Sequence, residues 1–172
     1  WEEFFFAFHF RHSGSRIMEQ TRVAGPFMVT LNASSGGITQ TSGGIESASN
    51  MTLNALELID IQGSLEGHDI SVTSSAGDIR SGFIDVEGSG GMDEVTLTAS
   101  SGSIIAYPIE AETGNVTLNA SGLIDMPFGL GELYSLSVMS SAGDITAYGS
   151  LDGYGGDIAL DAAGDITLDD VF

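Results

Sequence analysis

The 172-residue chain contains no cysteine and no lysine. The first absence excludes disulfides and thiolate metal sites. The second leaves four arginines against 24 acidic residues, for a formal net charge of −20. Such a surface repels nucleic-acid phosphates, so no nucleic-acid partner is expected. It suits solubility in salty water, or a surface that collects cations. No window approaches about 18 uninterrupted apolar residues, so no membrane span is expected. A sustained apolar pattern at the helical period is missing as well.

Catalytic signatures are equally scarce. No GxSxG, HExxH, P-loop or Rossmann fingerprint occurs in context. Of the three histidines, His9 and His12 share a short segment without acids at metal spacing, and His68 falls in an expected loop. A sugar-cleaving β-helix enzyme would pair carboxylates with a basic residue on an outer face, but Arg80 is the only cation beyond residue 26. No enzymatic activity is expected.

What the chain does have is repetition. SSAGDI stands at 74–79 and again at 140–145, with ASSGGI at 33–38, ASSGSI at 99–104, ASGLI at 120–124 and AAGDI at 162–166. Apolar–polar–apolar triplets begin at Val29, Met51, Ile70, Val95, Val116, Leu136 and Ile158, spaced by 22, 19, 25, 21, 20 and 22 residues. A second apolar anchor follows each: Ile38, Ile59, Ile79, Ile104, Ile124, Ile145 and Ile166. A looser third position is visible at Ile45, Leu65, Ile84, Ile109 and Leu151. Within a triplet, as in VTLNAS, alternation has period two, which sends Val29, Leu31 and Ala33 to one face. Gly with Ser, Asp or Asn separates the strands, Gly supplying a left-handed corner and Asp or Asn bonding its own turn.

Short strands repeating every 20-odd residues without helices predict an all-β chain, a right-handed parallel β-helix (β-solenoid) of about seven coils. Seven coils at roughly 4.8 Å give a rod of about 34 Å. The repeat style, especially SSAGDITAYGSLDG and AAGDITLDD, resembles that of filamentous-haemagglutinin-type adhesins, secreted bacterial surface proteins. The likeness spans about 29–172. It implies a right-handed β-helix with adhesive or structural work outside the cell.

Residues 1–26 differ from 27–172. Arg11, Arg16 and Arg22 balance Glu2, Glu3 and Glu19 there, so the whole −20 sits in the body. Phe4, Phe6, Phe8 and Phe10 alternate with Phe5, Ala7, His9 and Arg11, as a strand with one aromatic face. This extension is expected either to cap its own first coil or to act as a strand donated to a neighbouring subunit. The chain opens on Trp1, for which a removed secretion signal is the expectation, and stops at ITLDDVF with no cap visible. Together these predict an extracellular or cell-surface filament subunit, a homopolymer built head to tail. Its contact would join Phe4, Phe6, Phe8 and Phe10 to Ile166, Leu168, Val171 and Phe172. The alternative is an adhesin β-helix that binds a glycan or a cell surface through loops such as 62–69 or 147–156, where Tyr148 and Tyr154 could stack on sugar.

Three smaller expectations concern the turns and the outer faces. Asp78, Asp144 and Asp165 close equivalent turns and could act as calcium ligands, with Asp69, Asn115 and Asp157 at the other recurring turn; the competing reading is that they only make the corner. No other cofactor is expected. Thr30, Thr52, Ser71, Thr96, Thr117 and Ser137 should stack beside Asn32, Asn54, Thr73, Thr98 and Asn119, a flat face able to order water that Met139, Ala159 and Asp161 interrupt. N-x-S/T occurs at Asn32, Asn50, Asn115 and Asn119, sites for glycosylation or an asparagine ladder.

Overall fold

In the computed structural model, residues 8–13, 16–18, 23–25, 28–86, 93–153 and 155–171 are described. All the strands among them pair in parallel, and none of these residues is helical. The chain winds as a right-handed β-solenoid with three faces per coil.

On the first face lie Phe8–Ser13, Val29–Ser35, Met51–Ala55, Ile70–Ser74, Glu94–Ala99, the later halves of Ile109–Ala120 and Leu130–Ser140, and Ile158–Ala162. The second face holds Arg16–Met18, Ile38–Gln40, Ile59–Ile61, Ile79–Ser81, Ile104–Ala106, Ile124–Met126 and the starts of Ile145–Gly153 and Ile166–Val171. The third face holds Val23–Gly25, Gly44–Ser47, Ser64–Gly67, Ile84–Val86, the starts of Ile109–Ala120 and Leu130–Ser140, and the ends of Ile145–Gly153 and Ile166–Val171.

The first face therefore carries eight strands among the described residues, one more than the seven coils the repeats predict. The extra tier is formed by Phe8–Ser13, Arg16–Met18 and Val23–Gly25. Phe8 and Phe10 pair by Cα with Val29 and Leu31, Arg16 with Ile38, and Val23 with Ile45. Composition changes near residue 26, but the ladder of main-chain hydrogen bonds does not. We number the tiers 1 to 8 from this one.

The inner columns follow the alternation. Val29, Met51, Ile70, Val95, Val116 and Leu136 form one, and Leu31, Leu53, Val72, Leu97, Leu118 and Val138 the next, all buried. Ile38, Ile59, Ile79, Ile104, Ile124 and Ile145 line the second face, and Ile45, Leu65, Ile84, Ile109, Leu130 and Leu151 the third. Each such side chain contributes about 1.5–3 kcal/mol relative to exposure. Because every column is buried by the tiers above and below, stability comes from stacking rather than from any single coil.

SSAGDI is a tier-joining device. Ser74 is buried; its Oγ donates to the carbonyl of Glu57 one tier below (2.6 Å) and accepts the N–H of Gly77 (3.0 Å). Ser140 repeats both bonds with Gly122 and Gly143. The glycines in these two copies are not in the left-handed region, contrary to the corner role expected of them; Gly36, Gly43, Gly129 and Gly155 are. Gly77 is needed instead for close approach, since a Cβ there would lie 2.6 Å from the Glu57 carbonyl carbon. The isoleucine that ends each copy, Ile79 or Ile145, is a core residue.

Candidate functional site: an aromatic corner beside a groove

At the corner between the second and third faces the chain must turn outward after each inward residue of the second face. The residues that follow Ala106, Met126 and Ala147 place aromatic rings at this corner on tiers 5, 6 and 7. Tyr107, Phe128 and Tyr148 are 44%, 61% and 57% exposed. The rings of Tyr107 and Phe128 meet with centroids 5.3 Å apart and planes inclined by 35°. Phe83, half-buried, occupies the same corner of tier 4.

Next to Tyr107 runs a groove of about 440 Å³ across tiers 3 to 5. Asp60, Gln62, Arg80 and Phe83 line it with Tyr107, and Ser81 lies on its wall. Asp60 and Arg80 are Cα partners on adjacent strands. The Ser81 hydroxyl is buried without a hydrogen-bond partner among the described residues.

Of the loops expected to bind, Ser64–Gly67 is a strand, and Gln62 alone of its approach lines the groove. Tyr148 stands at the aromatic corner, within the strand Ile145–Gly153. Tyr154 lies outside the described residues. Sequence reasoning missed Tyr107 and Phe128. The available signal was their place just beyond the second anchor, in successive repeats.

The turn aspartates are distributed differently from a metal centre. The column through their turn runs Leu58, Asp78, Ser103, Leu123, Asp144 and Asp165, as the tier-to-tier main-chain bonds show. Asp144 and Asp165 are neighbours, while Asp78 is three tiers away, about 14 Å along the axis. Each carboxylate with a tier above it reaches upward: Asp78 Oδ1 accepts the N–H of Ser103 and Asp144 Oδ1 that of Asp165, both at 2.9 Å. At the other turn Asp69 Oδ1 accepts the N–H of Glu94 (3.1 Å). Among the described residues no group of three or more His, Asp or Glu side chains could hold a metal ion.

On the first face Thr30, Thr52, Ser71, Thr96, Thr117 and Ser137 are successive Cα partners, beside the rank Asn32, Asn54, Thr73, Thr98 and Asn119. Asn54 Nδ2 donates to Asn32 Oδ1 at 2.9 Å, so the asparagine ladder exists at this step. The third face stacks Glu46, Glu66, Asp85 and Glu110 outward on four consecutive tiers. His68 Nδ1 is 3.8 Å from the carboxylate of Asp93, a buried residue one tier above.

Of the expected contact residues, Phe4, Phe6 and Phe172 lie outside the described residues. Phe8 and Phe10 belong to a strand paired with Val29–Ser35 of the same chain. Ile166 and Leu168 are on tier 8, where Ile166 is 44% exposed and Leu168 half-buried, and Val171 pairs with Leu151. The two groups are thus at opposite ends of the stack.

The fold and corner define a class, a three-faced β-solenoid with lateral aromatics. A family described as "Repeats of unknown function (DUF5649)" matches residues 113–171, a segment corresponding to tiers 6 to 8. No curated protein and no solved structure matches the chain.

Proposed function

We propose that the chain is a non-catalytic element of an extracellular or cell-surface adhesin, a rigid rod that holds its ligand along its side. The observation that supports this reading is the line of exposed rings at one corner, Tyr107, Phe128 and Tyr148. A solenoid has spare outward positions whose identity does not affect its core, and large apolar rings there cost solubility unless a partner uses them. The repeat style supports the extracellular setting by resemblance. The test is adherence of the purified chain to mucin-coated surfaces against albumin-coated ones. Selective adherence is the expected result, and equal background on both surfaces would contradict it.

A second reading, the head-to-tail filament subunit, is favoured by tier 8. Ile158, Leu160, Ile166 and Leu168 are only partly covered there, and the outer edge of its strands offers the same register that joins all lower tiers. The first tier of a second copy would extend these columns by coil stacking. Electron microscopy at micromolar concentration decides it. Filaments repeating every ~38 Å, eight tiers of roughly 4.8 Å, are expected, and monodisperse short rods would exclude them. The turn aspartates enter as calcium ligands in this reading only if chelation dissolves such filaments.

A further inference from the structure

We infer that the groove beside Tyr107 is a subsite for a neutral oligosaccharide, with Tyr107, Phe128 and Tyr148 as the platforms that continue it along the rod. The inference rests on the adhesin reading and names its ligand.

The argument starts from what the corner offers. Tyr107, Phe128 and Tyr148 come from three successive tiers, so they repeat along the axis at roughly the strand spacing of 4.8 Å. Their faces are apolar and electron-rich. A pyranose ring presents an apolar C–H face to such a surface and keeps its hydroxyls at the rim. The groove supplies the rim chemistry in one place: the Asp60 carboxylate as acceptor, the Gln62 amide as donor and acceptor, and the Arg80 guanidinium as a forked donor. Arg80 is exposed and has no carboxylate partner among the described residues, which leaves its donors available to a ligand.

Charge narrows the ligand further. The body carries −20 with Arg80 as its one cation, so a polyanionic glycan would meet repulsion along the whole rod. A protein partner would need about 800 Å² of complementary surface. Here Tyr107 and Phe83 share the groove with Asp60, Gln62 and Arg80, and Phe128 and Tyr148 continue from it as a single line of rings rather than a broad apolar patch. An uncharged, hydroxyl-rich chain lying along the axis fits both facts.

The test titrates the full chain with chitohexaose, cellohexaose and mannohexaose as neutral probes, and a heparin hexasaccharide as the sulfated one. At least one neutral probe should bind, and the sulfated one should not. Tyr107→Ala should weaken that binding by roughly tenfold, the scale of one lost stacking contact. Tyr134→Ala, an exposed tyrosine at the corner between the third and first faces, should leave it unchanged. Far-UV circular dichroism checks that both variants fold. Failure of every neutral probe, preference for the sulfated probe, or equal binding by Tyr107→Ala would overturn the subsite. A parallel arm measures adherence to mucin before and after periodate oxidation of its sugars. Adherence that survives periodate overturns the oligosaccharide assignment while the adhesin reading stands. Periodate-sensitive adherence untouched by Tyr107→Ala removes the groove alone. Absence of any adherence overturns both.

Discussion

Ser74 is buried with its hydroxyl 2.6 Å from the carbonyl oxygen of Glu57, a residue 17 positions earlier and one tier lower. Ser140 has the same relationship to Gly122. From tier 2 to tier 7 the column they share is otherwise alanine: Ala33, Ala55, Ala99 and Ala120. Alanine therefore fits the space, and a Ser→Ala change removes hydrogen bonds without creating a large void. Ser74→Ala and Ser140→Ala should each cost about 1 kcal/mol, read from urea unfolding. A loss above ~3 kcal/mol would mean that the hydroxyl holds more than one corner together.

Glycine at 77 and 143 serves a different purpose. A Cβ at either position would lie 2.6 Å from a backbone carbon of the tier below. Separation of the coils is then unavoidable, and Gly77→Ala should destabilise more than Ser74→Ala. Gly131 is the control, because a Cβ there meets nothing within 4 Å and its φ is not left-handed. Gly131→Ala should be neutral or stabilise by about 0.4–1 kcal/mol, by narrowing the unfolded ensemble. Thermal unfolding of the three variants gives the order.

The isoleucine column offers an internal comparison of burial. Ile79 is fully buried on tier 4, whereas Ile166, in the same column on tier 8, is 44% exposed. Ile79→Ala should cost about 2–5 kcal/mol through lost transfer energy and a residual cavity. Ile166→Ala should cost markedly less in the isolated chain. Equal losses in denaturant titrations would show that tier 8 is covered in solution.

For the turn aspartates, an oxygen acceptor and a calcium ligand respond differently to substitution. Asp78→Asn and Asp144→Asn keep an oxygen able to accept the N–H of Ser103 or Asp165, and should change stability little. The alanine variants should lose about 1 kcal/mol each. Melting temperatures with millimolar calcium and with chelator complete the comparison. A calcium-dependent rise that both asparagine variants abolish would make these residues ligands.

Glu46, Glu66, Asp85 and Glu110 stand on consecutive tiers of the third face. Like charges directly opposite one another on paired strands are destabilising. Salt shortens the range of that repulsion to about 8 Å at physiological ionic strength. The melting temperature should therefore rise between low and physiological sodium chloride. A fall would show that attractive ion pairs dominate the surface.

Much of this architecture is legible in the residues. Period-two triplets at Val29 through Ile158 fix the first face, and the isoleucines from Ile38 to Ile166 fix the second. The outward threonine rank follows from the same alternation. The tier built by Phe8–Ser13, Arg16–Met18 and Val23–Gly25 is harder to read, because the Phe-rich, charge-balanced wording of this region hides that Phe8 shares the register of Val29. Ser74 and Ser140 look like turn residues, although they are buried tier links whose partner is 17 or 18 residues back. The corner aromatics are the largest omission. Tyr107, Phe128 and Tyr148 are about 20 residues apart in turns of unequal length, and only coiling brings them to one edge. Their shared place after the second anchor is the trace that could have revealed them.

The most direct test of the account maps the ligand onto the rod. Isotope-labelled chain is titrated with oligosaccharide released from the mucin to which it adheres, and backbone amide shifts are followed by NMR. Perturbations should cluster at Gln62, Gly82, Tyr107, Phe128 and Tyr148, on one edge of tiers 3 to 7. Shifts confined to the threonine rank of the first face, or to tiers 1 and 8, would contradict the claim that this rod works through its aromatic corner.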